Sequence, residues 1–460
     1  MQKKALLALL IVAAITLSGC SLVVKDSAVD AKRVIIDVNG ETVDKQTVNA
    51  QINSQLAYLQ QMYYNYYGYT IDTTSETYIS QATDTVVQSN IQTLVRNQKI
   101  KELGFDQFAD EELAELTKTA DEDYQSMIDT IKLLYLSGST NEGDALTAEA
   151  EAYAKTNGYT KEYVLADAKA TKAQERLKDS VVKDIAVSDE EVKADFDEKV
   201  AAAKTSYESN LSAYGSAFNG GSAVYYAPAG YRYVKQVLVK ISAEDSTAIS
   251  TLTSDLSTAN ASLTATKTAL TENETALAAE GVTDEEKTAL EEAKPALQTA
   301  VDEAQAKVDD LTKQLNEKTE AAFAAIKAEA DEVYQKAAAG EDFEALIEQY
   351  NDDPGMTNDP GKTYGYAVCE CYSAFETPFV ETAMALKAVG DVAEPVKGSS
   401  GYFIIRYQGD VAEGEVALDT VAESIKSSLL TTKQDEAYDA ALAGWVSAAT
   451  VKTYADRLND

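Results

Sequence analysis

Between positions 46 and 215 apolar residues recur at helical spacing among Ala, Leu, Glu, Lys and Gln, and no proline occurs before Pro228. That pattern predicts helices over 45–66, 75–103, 109–136, 147–156, 160–184 and 188–213. Ser188-Asp189-Glu190-Glu191 has the residues of a capping box and opens the last of them. Ahead of the helices, Arg33 to Val38 is a β-branched run, Asn39-Gly40 is a tight-turn dipeptide, and Glu41 to Val43 can return as a second strand. A small hairpin is expected there. The run Tyr63, Tyr64, Tyr66, Tyr67 and Tyr69 either packs at a helix end or offers a contact surface, because phenol rings bury area and still present a hydroxyl.

The pattern changes after residue 215. Residues 216–230, rich in Gly, Ala, Ser and Tyr, have the composition of a linker. Tyr231 to Lys240 then alternates large apolar and polar residues, as a strand does. From 245 to about 335 helical periodicity returns: Leu256, Leu263, Leu270 and Leu277 repeat every seven residues, and Leu297, Val301, Ala304, Val308, Leu311 and Leu315 step by four and three. This is an a/d seam. Gly281 and Thr283-Asp284-Glu285-Glu286, a helix stop followed by a capping box, divide the two runs. Two antiparallel arms of about 30 residues, each reaching roughly 45 Å, account for both the seam and the break. A long dimeric coiled coil, giving a homodimer, is the alternative. Pro295 should kink the second arm or delay its start. Beyond it the chain shows a helix over 340–350, a turn at Asn351-Asp352-Asp353-Pro354-Gly355, a strand over 365–368, a helix over 376–386 and a strand over 401–407. A compact α+β module is expected.

Composition narrows the chemistry. The 460 residues are 45% hydrophobic and 25% charged, ordinary globular usage with room for two or three domains. Lys and Arg number 40 against 76 Asp and Glu, a net of −36 that argues against a nucleic-acid partner. Histidine is absent, which excludes Ser-His-Asp triads, His-assisted cysteine nucleophiles and the usual His-containing zinc sites. Asp352, Asp353 and Asp359 depart from EF-hand spacing, and no metal or cofactor is expected. Cys369 and Cys371 form a C-x-C pair, too few ligands for a metal site and able to close a small disulfide.

The N-terminus carries an address. Lys3 and Lys4, an apolar run from Ala5 to Ile15, and Leu17-Ser18-Gly19-Cys20 form a signal peptide over residues 1–19, too short to span a bilayer. Leu-Ser-Gly-Cys resembles the lipobox of bacterial lipoproteins. That resemblance implies lipidation of Cys20, with two acyl chains giving stable anchorage outside the cytoplasmic membrane. Removal of residues 1–19 leaves 38 Lys and Arg against 76 acids, a net of −38.

The order of motifs in residues 229–410 resembles the parvulin family of peptidyl-prolyl cis-trans isomerases. The resemblance rests on Val237-Leu238-Val239-Lys240, Gly340-x-x-Phe343, Gln349-Tyr350-Asn351-Asp352-Asp353, Pro378-Phe379 followed by Ala383 to Lys387, Gly390 to Val396, and Gly401-Tyr402-Phe403-Ile404-Ile405. It implies an α+β domain interrupted by the helical hairpin at 245–316. Val38-Asn39-Gly40, the helix with Lys99 to Gly104, and Val187 to Glu191 are similar to the helical chaperone region of PrsA-like and SurA-like foldases. The implied order is a chaperone domain over 20–215, the linker, the isomerase-like domain, and a tail over 411–460 that packs on the first domain with a helix at 416–446 and a strand at 450–454.

The same resemblance implies a proline pocket formed by Phe379, Phe375 and Tyr364, with Asp353 beside the twisting carbonyl. Gln236 and Phe403 stand where the family usually has histidines. It further implies an extracytoplasmic foldase acting on unfolded or newly exported polypeptides. A holdase chaperone with a degenerate, non-catalytic parvulin domain is the alternative, and a solute-binding or adhesive lipoprotein a third reading.

Overall fold

The computed structural model describes residues 27–372 and 374–458; the signal segment and Cys20 lie outside them. The chain divides into two compact units, Met1–Val187 with Ser427–Asp460, and Ser188–Lys426.

In the first unit a short helix α1 (Ser27–Ala31) precedes strands β1 (Val34–Val38) and β2 (Glu41–Asp44). They are joined as expected through Asn39 and Gly40, whose φ of 52° and 89° are left-handed values that a two-residue hairpin turn requires. Helices α2 (Lys45–Tyr67), α3 (Glu76–Leu103), α4 (Asp110–Leu134), α5 (Gly143–Thr156) and α6 (Lys161–Val182) follow. The tail strand Val451–Thr453 completes a three-stranded sheet by pairing antiparallel with β1, Val38 opposite Val451. Ile35, Ile36 and Val38 of β1 pack with Val48, Ile52 and Leu56 of α2 and Val86, Ile91 and Val95 of α3 in one core. Of the tyrosine run, Tyr63 is half-buried against the rings of Tyr67, Tyr69 and Tyr78 at 5.5–5.8 Å, whereas Tyr66 is 80% exposed.

The second unit opens with α7 (Asp189–Ser209), capped by Ser188 and Glu191 in the anticipated capping box, then α8 (Ser212–Asn219) and the short strand β3 (Tyr226–Ala227). Residues 216–230, read above as a linker, are therefore partly structured. The reason is aromatic burial: Tyr214 and Phe218 of α8 join Tyr231 in a small core. Strand β4 (Arg232–Lys240) leads into the hairpin, α9 (Ala243–Ala278) and α10 (Asp284–Ala338). Then come α11 (Phe343–Tyr350), β5 (Tyr366–Val368), α12 (Thr377–Ala385), β6 (Val396–Lys397), β7 (Gly401–Asp410) and β8 (Gly414–Glu415).

The hairpin arms are antiparallel within one chain. Asp245 pairs with Lys318 at 2.5 Å, Lys267 with Gln305 at 3.3 Å and Glu274 with Lys294 at 2.9 Å, so numbers rise along one arm as they fall along the other. Leu263, Val301 and Leu311 fill the seam, which a dimeric coiled coil would have filled from a second copy. Gly281 (φ 88°) and the Thr283–Glu286 capping box make the break. Pro295 does not delay the second arm: α10 starts at Asp284 and runs through it. The second arm runs to Ala338, close to the end of the helical periodicity and beyond the insert boundary at 316, because its last turns, from Ala322 to Ala337, pack on the sheet and Ile241.

That sheet has the order β5-β4-β7-β6, every pairing antiparallel. Side chains alternate across it. Val237, Val239 and Ile404 face Ala330 and Val333 of α10 and Leu346 and Ile347 of α11. Val234, Leu238, Phe403 and Ile405 face Phe379, Val380 and Ala383 of α12. Segments 232–240 and 343–410, some hundred residues apart along the chain, thus form one α+β module.

Candidate functional site

Gln236 sits in the middle of β4, opposite Ile405 of β7, and by the two-residue period it shares the face of Val234 and Leu238 under α12. It is 4% exposed. Its Nε2 donates to Asp353 Oδ2 at 2.5 Å, and its Oε1 is buried with no hydrogen-bond partner among the described residues.

Asp353 is held against β4 by the residues before it. The Leu238 N–H donates to Asn351 Oδ1 at 2.8 Å, the Asn351 Nδ2 donates to the Asp353 carbonyl at 2.6 Å, and the Asp352 N–H donates to the Leu238 carbonyl at 2.9 Å. The Asp353 side chain caps the short 3-10 turn Pro354–Met356 by accepting from the Gly355 N–H at 3.0 Å. Its other oxygen accepts from Gln236 and from the Tyr366 hydroxyl at 2.8 Å. Burial pushes the Tyr366 hydroxyl above the usual tyrosine range, and its bond to Asp353 adds to the push, so the phenol keeps the proton it donates. Gly355 permits this approach: a Cβ there would stand 1.8 Å from the Tyr366 hydroxyl oxygen.

A train of aromatic rings borders this network. The Phe375 ring lies 5.0 Å from Tyr366, 5.4 Å from Tyr372 and 5.2 Å from Phe379, and Phe379 lies 5.3 Å from Phe403. Phe375 is half-buried, while Phe379 and Phe403 are 2% and 9% exposed. Phe375 is the ring with surface left for a ligand; Phe379 and Phe403 support it from the core. Tyr364 stands apart, 52% exposed, its ring beside Phe218 and Tyr233 at 6.0 and 5.8 Å.

Of the six residues proposed from sequence in this domain, the structure brings five into one constellation and puts Tyr364 in a neighbouring aromatic cluster. Tyr366 escaped the sequence reading, and Asn351 and Gly355 were read there as turn residues, without the contacts they make at Asp353. The signal for Tyr366 was its place two residues before Val368 in a predicted strand, which puts both on one face. Nothing in the sequence tells that its hydroxyl reaches Asp353. Cys369 and Cys371, directly after β5, are joined in a disulfide.

Residues 310–409 match the Rotamase family, described as the PPIC-type PPIase domain. The chain contains a PPIC-type domain. Upstream of the matched residues, β4 is nevertheless an inner strand of that domain's sheet and supplies Gln236. Foldase protein PrsA of Clostridium botulinum is 33% identical over 130 residues, 28% of this chain and 38% of that protein. Foldase protein PrsA 3 of Bacillus anthracis is 43% identical over 77 residues, 17% of this chain and 25% of that one. The chain thus spans less than two-fifths of the length of these relatives, and within that span it is homologous to PrsA foldases. Among solved structures, PrsA from Bacillus subtilis aligns at 16% identity over 91% of each chain with a TM-score of 0.21. One of two SurA-like chaperones of Campylobacter jejuni aligns at 15% identity over 92% of this chain and all of that one, with a TM-score of 0.23.

Proposed function

We propose that the protein is a lipid-anchored extracytoplasmic foldase that isomerises X-Pro bonds in exported polypeptides. The observation that carries this reading is the half-buried Phe375 ring standing over the Gln236–Asp353–Tyr366 network within a PPIC-type domain. Rotation about an X-Pro bond crosses a barrier of about 18–20 kcal/mol because amide resonance is lost, and no proton need be exchanged with the peptide. A site accelerates it by gripping the proline ring and removing water from the twisting carbonyl. Phe375 supplies an apolar platform for the ring. Gln236 is buried beneath the surface a peptide would meet and acts by fixing Asp353, to which its Nε2 donates. Asp353 and Tyr366 hold Gln236 and the floor in place. None of these roles requires histidine.

Catalysis of cis-trans exchange in a proline peptide tests the reading. The wild type should accelerate exchange, and Phe375→Ala should lower the rate constant by about tenfold, close to 1.4 kcal/mol of lost transition-state binding. No acceleration at high protein concentration would leave the second reading, a holdase with a degenerate isomerase domain. Burial of Phe379 and the fully engaged Asp353 carboxylate favour that alternative, and suppression of client aggregation without isomerisation would establish it. The anchoring is tested separately: Cys20→Ser should release the protein from the membrane fraction. No helix among the described residues is long and apolar enough to cross a membrane, so this reading leaves anchorage to the lipid.

A further inference from the structure

Beside the aromatic face, the disulfide between Cys369 and Cys371 has an uneven environment. Cys369 is 3% exposed, in a core of Tyr214, Phe218, Tyr231 and Val411, whereas Cys371 is exposed on the loop that continues through Tyr372 to Phe375. The Cα atoms are 5.2 Å apart, and only Glu370 lies between the two cysteines. As a staple this bond does little, because the stabilisation from a cross-link grows with the length of the loop it closes and here that loop is a single residue. A disulfide with one accessible and one sheltered sulfur is instead arranged for thiol–disulfide exchange, which requires in-line approach of a thiolate to one sulfur and a resolving thiol nearby.

We propose that Cys371 and Cys369 form a second functional site, at which cysteine thiols of a bound polypeptide exchange with the protein's disulfide. The inference takes its substrate class, an exported polypeptide, from the reading above. A thiolate of the polypeptide attacks Cys371 Sγ, forming a mixed disulfide and breaking the Cys369–Cys371 bond. The electron pair of that bond leaves on Cys369 Sγ, which takes up a proton in its apolar surroundings. A second thiolate of the same polypeptide then attacks the mixed disulfide, expelling the Cys371 thiolate and closing a disulfide in the polypeptide. The polypeptide loses two electrons and the protein's cystine gains them, so one turnover needs no further oxidant. Tyr372 adjoins Cys371 in the chain, and its ring touches that of Phe375 at 5.4 Å. A chain held on Phe375 is therefore presented to Cys371 at raised local concentration.

The test uses the full-length oxidised protein and reduced peptides carrying two cysteines, one with a proline and one without. Peptide disulfide and protein dithiol should appear in equal amounts, and peptide mapping after acid quench should find the intermediate on Cys371. Against a peptide disulfide, Cys369→Ser, which leaves the exposed sulfur, should trap at least about tenfold more adduct than Cys371→Ser, since access governs the attack. A protein disulfide left intact by both peptides overturns the inference, as does equal trapping by the two variants. Cys369→Ala/Cys371→Ala should lose exchange while its thermal transitions stay in place, which separates exchange from unfolding. Exchange with both peptides in a protein that does not accelerate isomerisation of the proline peptide would sink the isomerase reading and leave this one standing.

Discussion

Asp353 accepts hydrogen bonds from a glutamine amide, a phenol and a backbone N–H, and each of those donors lies in a partly or fully buried setting. Asp353→Ala leaves them unpaired and should cost about 2–3 kcal/mol of stability, read from denaturant unfolding, together with any isomerase activity. Asp353→Asn keeps the size and one acceptor and should cost less. At the other unit's entrance, Asp44 caps α2 by accepting from the Thr47 N–H at 2.9 Å and pairs with Lys32 at 2.8 Å. The hydrogen bond from Lys32, reinforced by those from Thr47, lowers its pKa to about 2. The sign follows from linkage: a depressed carboxyl stabilises the fold above the unfolded value near 3.9, and that contribution disappears as pH falls from about 4 toward 2. The thermal midpoint of the wild type should therefore drop more over that interval than that of Asp44→Asn, which still caps but does not titrate.

At the scale of elements, the turn after α11 and strand β5 are fitted to each other through Gly355. Gly355→Ala would drive a methyl into the Tyr366 hydroxyl, so it should destabilise the domain by about 1–3 kcal/mol, the usual cost of overpacking. Tyr366→Phe removes the obstructing oxygen, and the double variant should be less destabilised than the two single effects added, measured as a double-mutant cycle. The same scale shows how far sequence reasoning reached. The hairpin turn at Asn39-Gly40, the Ser188 and Thr283 capping boxes and the seam through Leu263 and Leu311 were legible because each depends on residues within a few positions of one another. The α8 helix was not: its Gly, Ser and Ala content is that of a linker, and what orders it is burial of Tyr214 and Phe218 against Tyr231.

For the whole molecule, the tail strand Val451–Thr453 covers one edge of β1, and Thr450 and Asn39 exchange hydrogen bonds at 2.8 and 2.9 Å. Removing residues 449–460 uncovers that edge. The transition of the first unit should fall while that of the PPIC-type unit stays within a degree or two, as differential scanning calorimetry would register; a uniform fall of both would contradict the division into two units.

The sequence alone determined most of the helices, the Ser188 and Thr283 capping boxes and the break at Gly281 between the two hairpin arms, because periodicity and capping are local properties of a chain. It also placed Gln236, Phe375, Phe379, Phe403 and Asp353 in one domain. Only the tertiary structure decided which of them touch. Pairing β4 across the hairpin insert with β5 and β7 brings Gln236 to Asp353, adds the Tyr366 hydroxyl to the same carboxylate, buries Phe379, leaves Phe375 at the surface and turns Tyr364 toward Phe218. Those outcomes depend on strand register and side-chain packing between segments a hundred residues apart, and no local pattern encodes a distance between them.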